Sequence, residues 1–347
     1  MKLSKALSGI AAAAALLLPL AACADDGGRA ALPQVDFRSV IESSPYKPVG
    51  FALDYMAELV SKRTGGRFTI SRRMSYGGIS ASDCLVRVVV NTEDITVVPL
   101  EIIGNFMPWV RIMCLPYFFS QRDYDALAAS GAAGRELCDR ISEDDARIID
   151  LGTWYSDYLE LLMRDHPVSR PEDLRGQNIW LPVAGPISEY IASMGANPVI
   201  MPMDSATAAV RRGIIDGMVT PLNGLAAKSQ AFAHMRYASQ ISMARAGYAV
   251  LVSQQKFESL PPEYQKVLRE AAAEAGDFLS DYNEECAHVV LGRLRRNGSV
   301  ALNSPDLTQF KAYADRVKFI YLKRYPQAAE RTRNLLYGRP AGAGARR

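Results

Sequence analysis

Histidine is scarce in this chain. There are three in 347 residues, and His166, His234 and His288 stand at no metal-ligand spacing to one another or to a cysteine. A zinc site, or any other imidazole-held metal, is not expected. The sequence has no H-E-x-x-H, no P-loop, no G-x-G-x-x-G after a strand and no G-x-S-x-G elbow. His166 precedes Pro167, which favours an extended or turn segment and a surface or hinge histidine over a catalytic one. Acidic pairs such as Asp144-Asp145 and Glu284-Glu285 read as solvated faces. No enzyme, cofactor or metal is therefore expected. An excess of one charge is also missing: 40 Lys+Arg face 37 Asp+Glu, a net +3. That balance argues against nucleic acid or a membrane surface as the main partner. None of the five cysteines stands in a C-x-x-C pair. No internal repeat and no low-complexity core is present.

What is there begins with an export signal. Lys2 and Lys5 form a basic start, and Ala11 to Leu20 an apolar run well short of the roughly 20 residues that span a bilayer. Leu20-Ala21-Ala22-Cys23 reads as a bacterial lipobox, with a signal peptide over 1–22 and lipid on Cys23. A plain secretory signal cleaved near Ala22 is the alternative. Residues 23–34, with Asp25, Asp26, Gly27 and Gly28, read as a lipid-anchored tether. No later segment holds the roughly 18 uninterrupted apolar residues of a membrane span. The expected place is the periplasm, on a membrane through Cys23. Cys84, Cys114, Cys138 and Cys286 then remain. Oxidising surroundings permit pairing, and free buried thiols fit equally.

Downstream, the pattern alternates between helix and strand to about residue 250, which predicts an α/β fold. Leu53, Met56, Leu59 and Val60 form one helical stripe between Val49 and Arg63, stopped by Gly65-Gly66. Arg67 to Arg72 alternates as a strand with Phe68 and Ile70 on one side, and Asp94 to Val98 is a short buried strand. Asp204 is the expected cap of a helix over Ala206 to Ile215, and Met218-Val219-Thr220 opens a strand. Ser259 is the expected cap of a long helix that starts at Pro261-Pro262 and runs toward Leu294. A last helix from about Pro305 carries Leu307, Phe310, Tyr313, Val317 and Tyr321 on one face. The Arg-rich end, 331–347, reads as a disordered tail.

Several blocks resemble the extracytoplasmic solute-binding subunits of TRAP transporters. These are Met56-Ala57-Glu58 through Ile70, Asp94-Ile95-Thr96-Val97-Val98 with Cys114-Leu115-Pro116-Tyr117-Phe118-Phe119, and Arg170-Pro171-Glu172-Asp173-Leu174-Arg175-Gly176. Met194 to Met203 and Ala208 to Gly217 follow in order, then Lys228, then Pro261 to Ala272. The resemblance implies a two-domain periplasmic-binding-protein fold, class II-like, with mixed sheets flanked by helices, hinge crossings and long C-terminal helices. Domain I is expected over 35–157 plus 246–290, and domain II over 158–245 plus 291–330. It also implies closure of the two domains around a small solute, and delivery to TRAP-type membrane transport subunits.

The resemblance is broken where such proteins hold an acid. The family grips a ligand carboxylate with an Arg in the strand after Pro-Glu-Asp-Leu-Lys-Gly, a geometry that suits a guanidinium fork. Gln177-Asn178-Ile179-Trp180-Leu181-Pro182 puts Trp180 there. A second family Arg falls at Leu159 or Glu160. Val219 and Thr220 replace a Glu-Asn pair, Met203 an aromatic and Pro99 a polar residue, and Glu42 falls where a small polar group is common. The ligand-binding set implied is Trp180, Thr220, Val219, Met203, Pro99, Glu160, Glu42, Tyr155 and Asn223. Trp180 also has a simpler reading, as a core side chain. Without the clamp a carboxylate is costly to bury. The expected solute is neutral and apolar, or a cation set against the Trp180 face with Glu160 or Glu42 as counter-charge. Arg111 or Arg164 reaching the site from a new direction is the route back to an anion. A lipid-anchored scaffold or sensory partner that no longer serves transport is the alternative to a transport role.

Overall fold

A computed structural model describes residues 32–42, 48–72, 79–128, 130–144, 147–226, 232–298 and 300–338. The fold belongs to one unit, Pro33–Arg347. The export signal, Cys23, Lys228 and residues 339–347 lie outside the described residues.

The chain opens with β1 (Val35–Val40), α1 (Pro48–Arg63) and β2 (Phe68–Arg72). In α1 the helical stripe is buried: Leu53, Met56, Leu59 and Val60 all face inward. Gly65 and Gly66 end the helix at φ of 60° and 77°, a left-handed turn that a side chain resists. Phe68 and Ile70 point into the core as the alternation predicts. Next come α2 (Ala81–Val89), β3 (Ile95–Pro99), α3 (Leu100–Phe106) and a 3-10 segment, Pro108–Cys114. Asp94, just before β3, accepts from the Arg38 backbone at 2.7 Å and lies 3.5 Å from the Lys256 ammonium. Its side chain thus ties β1 to the far side of the sheet.

Two short helices follow, α4 (Gln121–Leu127) and α5 (Ala132–Asp144), and then β4 (Ile148–Met163), a strand of 16 residues. Beyond it lie β5 (Asn178–Leu181), α6 (Pro186–Ser193), β6 (Asn197–Ile200), α7 (Met203–Arg211) and β7 (Gly217–Pro221). The chain returns through β8 (Tyr237–Ser239), β9 (Arg245–Ser253), α8 (Gln254–Glu258) and α9 (Pro262–Asn297). It closes with β10 (Ala301–Asn303), α10 (Thr308–Arg324) and α11 (Pro326–Tyr337).

The strands run in the order β2-β1-β3-β9-β4-β7-β5-β6, with β8 against β4 and β10 against β8. The long strand β4 divides this sheet into two halves. Its residues from Ile148 to Tyr158 pair with β9, and those from Leu159 to Met163 pair with β7. Each half has its own apolar packing. Residues from α2, α3, α5 and β9 cluster on the first half, and two clusters cover the opposite faces of the second. Each fully buried aliphatic or aromatic side chain contributes roughly 1.5–3 kcal/mol. Helix α9, 36 residues long, spans both halves. It packs against α1 and β4 at one end and β10 at the other. The Trp154 indole fixes it by donating to the Ala272 carbonyl at 2.8 Å.

Four local expectations are corrected. Helix α7 starts at Met203, with Pro202 at the cap and no side-chain cap bond, and it ends at Arg211. Proline's fixed φ suits that entry, so Asp204 lies inside the helix. Ser259 does not cap α9; its hydroxyl donates to the Lys256 carbonyl and closes α8, and Pro261 holds the cap position of α9. The last predicted helix begins three residues after Pro305, at Thr308, where Asp306 accepts from the Thr308 backbone at 3.0 Å. The tail assigned to 331–347 begins instead with α11, whose Ala328 and Thr332 are buried. Cys84, Cys114 and Cys138 are buried free thiols and Cys286 is a half-buried one.

Candidate functional site

In sheets of this kind ligands bind beyond the carboxyl ends of the parallel strands. In the first half those ends carry Glu42 after β1, Pro99 at the end of β3 and Glu101 after it. In the second they carry the residues after β5 and β7. The two edges meet. A Cβ on Gly185, at the start of α6, would sit 3.3 Å from Glu101 Cγ. Val183, just after β5, packs on the first-half cluster.

Glu101 was not among the residues singled out from the sequence, although its place after β3 marks it. Its carboxyl is pushed up by burial, against the pull of its own backbone N–H and of Cys114. Tyr248, paired with Pro99 across β9, is pushed up by burial and by the nearby charges of Glu101 and Glu42. Glu101 forms no ion pair among the described residues. The first-half edge thus presents the carboxyls of Glu42 and Glu101.

In the second half, strand alternation sorts the expected residues. Glu160 pairs with Thr220, and Met218 with Trp180, so these side chains share one face. Met203, at the start of α7, packs on the same side. Val219 points to the opposite face and belongs to a different cluster. The expected pairing of Val219 with Trp180 in one pocket is thus not what the strand geometry gives. Trp180 is 3% exposed and packs with Leu162, Ala206, Val210, Met218 and Phe232. Its Nε1 donates to the Met201 carbonyl at 2.9 Å, which satisfies the indole inside that apolar cluster.

Where β4 passes from one half to the other, buried polar groups brace the crossing. Glu160 accepts from the Ser242 backbone at 2.6 Å and from its hydroxyl at 2.9 Å. Ser242 has a φ of 42°, so the carboxylate holds a strained turn after β8. Burial pushes the Glu160 carboxyl up to about 7, opposed by the Ser242 bonds. Asn223 donates to Asn283 Oδ1 at 2.6 Å, and the Ser156 hydroxyl reaches the same oxygen at 3.5 Å. Asn223 thereby links β7 to α9. Tyr155 lies in the first-half core, not on the second-half wall. Arg111 is spent on the Gly104 carbonyl and Asn105, and Arg164 lies against Gly213. The structure thus brings Trp180, Met203, Thr220 and Glu160 to one face, and leaves Val219 and Tyr155 elsewhere. His166 faces the Pro167 carbonyl, with its ring Nδ1 3.1 Å away. Among the described residues no three His, Cys, Asp or Glu side chains form a metal site, and no helix is long and apolar enough to cross a membrane.

The profile of DctP, the bacterial extracellular solute-binding protein family 7, matches residues 40–323. The C4-dicarboxylate-binding protein DctB of Bacillus subtilis is 22% identical over 307 residues, covering 87% of this chain and 85% of that protein. The 2,3-diketo-L-gulonate-binding periplasmic protein YiaO of Escherichia coli is 22% identical over 228 residues, 65% of this chain and 69% of its own. Among solved structures, a TRAP periplasmic solute-binding protein from Sulfitobacter with bound β-D-galacturonate superposes with a TM-score of 0.77 at 21% identity. It covers 88% of this chain and 100% of that one. One from Ralstonia eutropha with bound (S)-2-acetolactate also scores 0.77, at 18% identity, over 88% and 99%. The mixed α/β architecture is theirs.

Proposed function

The chain belongs to the bacterial extracellular solute-binding proteins of family 7, DctP, and from that premise we propose that it serves a TRAP-type importer as its solute receptor. The family is one of non-catalytic transport proteins, so the chain is not an enzyme. In this reading the two halves of the sheet are lobes, 35–157 plus 246–290 and 158–245 plus 291–330, that close around a small solute. Strands β4 and β9 are the crossings, and Glu160, Asn223 and Asn283 brace them. Cys23 carries the lipid that holds the protein at the periplasmic face of a membrane, next to the transport subunits.

The solute is neutral and apolar, or cationic, and not a simple carboxylate. The observation that carries this is Trp180. It stands where the family's carboxylate-gripping Arg belongs, and its ring is packed among apolar side chains with its N–H already bonded. Neither Leu159 nor Glu160 supplies the second guanidinium, and Glu101, in no ion pair among the described residues, gives the facing edge the wrong sign for an acid. Among the described residues, neither Arg111, held on Gly104 and Asn105, nor Arg164, against Gly213, offsets the desolvation of an anion buried there. The named relatives and neighbours bind a dicarboxylate, sugar acids and (S)-2-acetolactate, and in this reading the chain keeps their fold with a different ligand.

A thermal-shift screen of the mature protein tests the reading, with hexuronates and C4-dicarboxylates in one arm, and amines and neutral hydrophobes in the other. A cleft ligand at about a hundred times its Kd stabilises the folded state by roughly 2.7 kcal/mol. The expected hits are amines or neutral compounds. A shift by the acids alone overturns the ligand assignment, and silence in every arm favours a scaffold that has left transport.

A further inference from the structure

Helix α10 packs on the second half through Phe310, Ala314, Val317 and Tyr321, which are all buried. They recur at one-turn spacing and define its inner face. The Tyr321 hydroxyl donates to Glu189 at 2.6 Å, and the Tyr190 hydroxyl to the Phe310 carbonyl at 3.2 Å. Both partners stand on α6, which therefore fixes which way α10 faces. The outer face carries Phe319 and Ile320, 67% and 47% exposed. Scattered apolar residues on a surface need no explanation, but contiguous ones mark a contact face.

Cations frame this pair. Arg316 stands one turn before Phe319 and Ile320, Lys323 one turn after Phe319, and Arg324 one turn after Ile320. None of the three forms an ion pair among the described residues. Arg316 and Arg324 lie along the Tyr313 and Tyr321 rings, 5.1 and 5.7 Å from the centroids. The one acid of α10, Asp315, is taken up by Lys318 at 2.6 Å. The near-neutral chain thus hides a local excess. Between Lys311 and Arg333, seven Lys and Arg face only Asp315 and Glu330, a net +5 in a chain that totals +3.

Two bulky apolar side chains between unpaired cations match a surface that is anionic outside and apolar beneath. An anionic phospholipid layer has that order. Arg and Lys keep their charged ends at the headgroups while Phe and Ile reach the acyl boundary. Each cation near such a surface adds to the attraction, and the attraction is screened by salt. We propose that the outer face of α10, with Phe319 and Ile320 at its centre and Arg316, Lys323 and Arg324 around them, is a contact surface for anionic phospholipid. The contact is reversible and lies on the fold itself, apart from any lipid on Cys23. It goes beyond the receptor reading and holds whichever solute the cleft takes.

Co-sedimentation of the mature protein, made without lipid on Cys23, tests this. One set of vesicles contains phosphatidylglycerol and phosphatidylcholine in equal parts, and the other phosphatidylcholine alone. Binding to the anionic set is expected, at least about tenfold tighter than to the neutral one. Salt at about 1 M, where the screening length falls to about 3 Å, is expected to weaken it. The double variant Phe319→Ser, Ile320→Ser changes two exposed positions, and an unchanged melting temperature checks that it folds. It is expected to bind the anionic vesicles at least about tenfold more weakly. The triple variant Arg316→Gln, Lys323→Gln, Arg324→Gln is expected to lose the preference for phosphatidylglycerol. No binding of the wild type to the anionic vesicles overturns the proposal, and so does unchanged binding by either variant. If the wild type ignores vesicles but sediments as a dimer that the double variant breaks, the face belongs to a second copy and the lipid assignment falls.

Discussion

Two buried carboxyls, Glu160 and Asp150, contribute to how the stability of this protein responds to pH, in the same sense as Glu101 and Asp157, which burial also raises. Glu160 and Asp150 are held well above the ordinary carboxylate range, each at about 7, and burial is the main cause in both. Asp150 is fully buried and one of its oxygens is unpaired. A raised folded-state value means that the native protein binds more protons than the unfolded chain between about 4 and 7. Stability from these two groups is then complete below their unfolded values and is lost as the pH rises through 7. The slope amounts to at most about 1.4 kcal/mol per pH unit for each group. Surface carboxylates such as Asp83 and Asp173 are lowered by hydrogen bonds and act in the opposite sense, at more acidic pH. Urea unfolding should therefore show a midpoint that rises between pH 7.5 and pH 5, and Glu160→Gln should flatten that rise. A midpoint that falls steadily over the same range would contradict the account.

At the scale of elements, the final helix has the largest structural role that composition hides. α11 begins on the second half, where Ala328 is buried in its cluster and Tyr325 packs beside it. It ends on the first half, where Leu335 and Leu336 rest on that core and the Tyr337 hydroxyl donates to Asp123 at 2.8 Å. It is a strap across both halves. Removing residues 326–347 should lower stability by about 3 kcal/mol or more, from the apolar area uncovered. Chemical denaturation measures this, and an unchanged midpoint would show the helix to be dispensable. Arg331 and Arg333 merge the end of α11 into the Arg-rich stretch assigned to the tail, although Pro326 stands at the first position of the helix. A proline at the first helical position starts a helix as readily as it ends one. The elements read correctly, α1, β2 and β7, carry a clear period and glycine stops. Helix α7 was displaced because Asp204 is a stronger textual cap than the proline that holds the entry. Ser259 misled in the same way, closing one helix instead of opening the next.

For the whole molecule, the fold was legible because motifs in fixed order survive at low identity, and the match over residues 40–323 agrees with them. The site was legible only in part. The proposed loss of the clamp rests on Trp180 in the sequence, but which face each side chain takes depends on strand pairing. That pairing sends Val219 away from Trp180 and draws Glu160 into bracing Ser242. Glu101 escaped notice although it stands just after β3, because its meaning comes from Gly185, 84 positions later, closing against it. The central claim is that a family built around acids here receives a solute that is not one. Native mass spectrometry of the protein purified without denaturation reads that directly, as the mass of the retained solute. The account predicts an amine or a neutral compound, and a retained hexuronate or C4-dicarboxylate would contradict it.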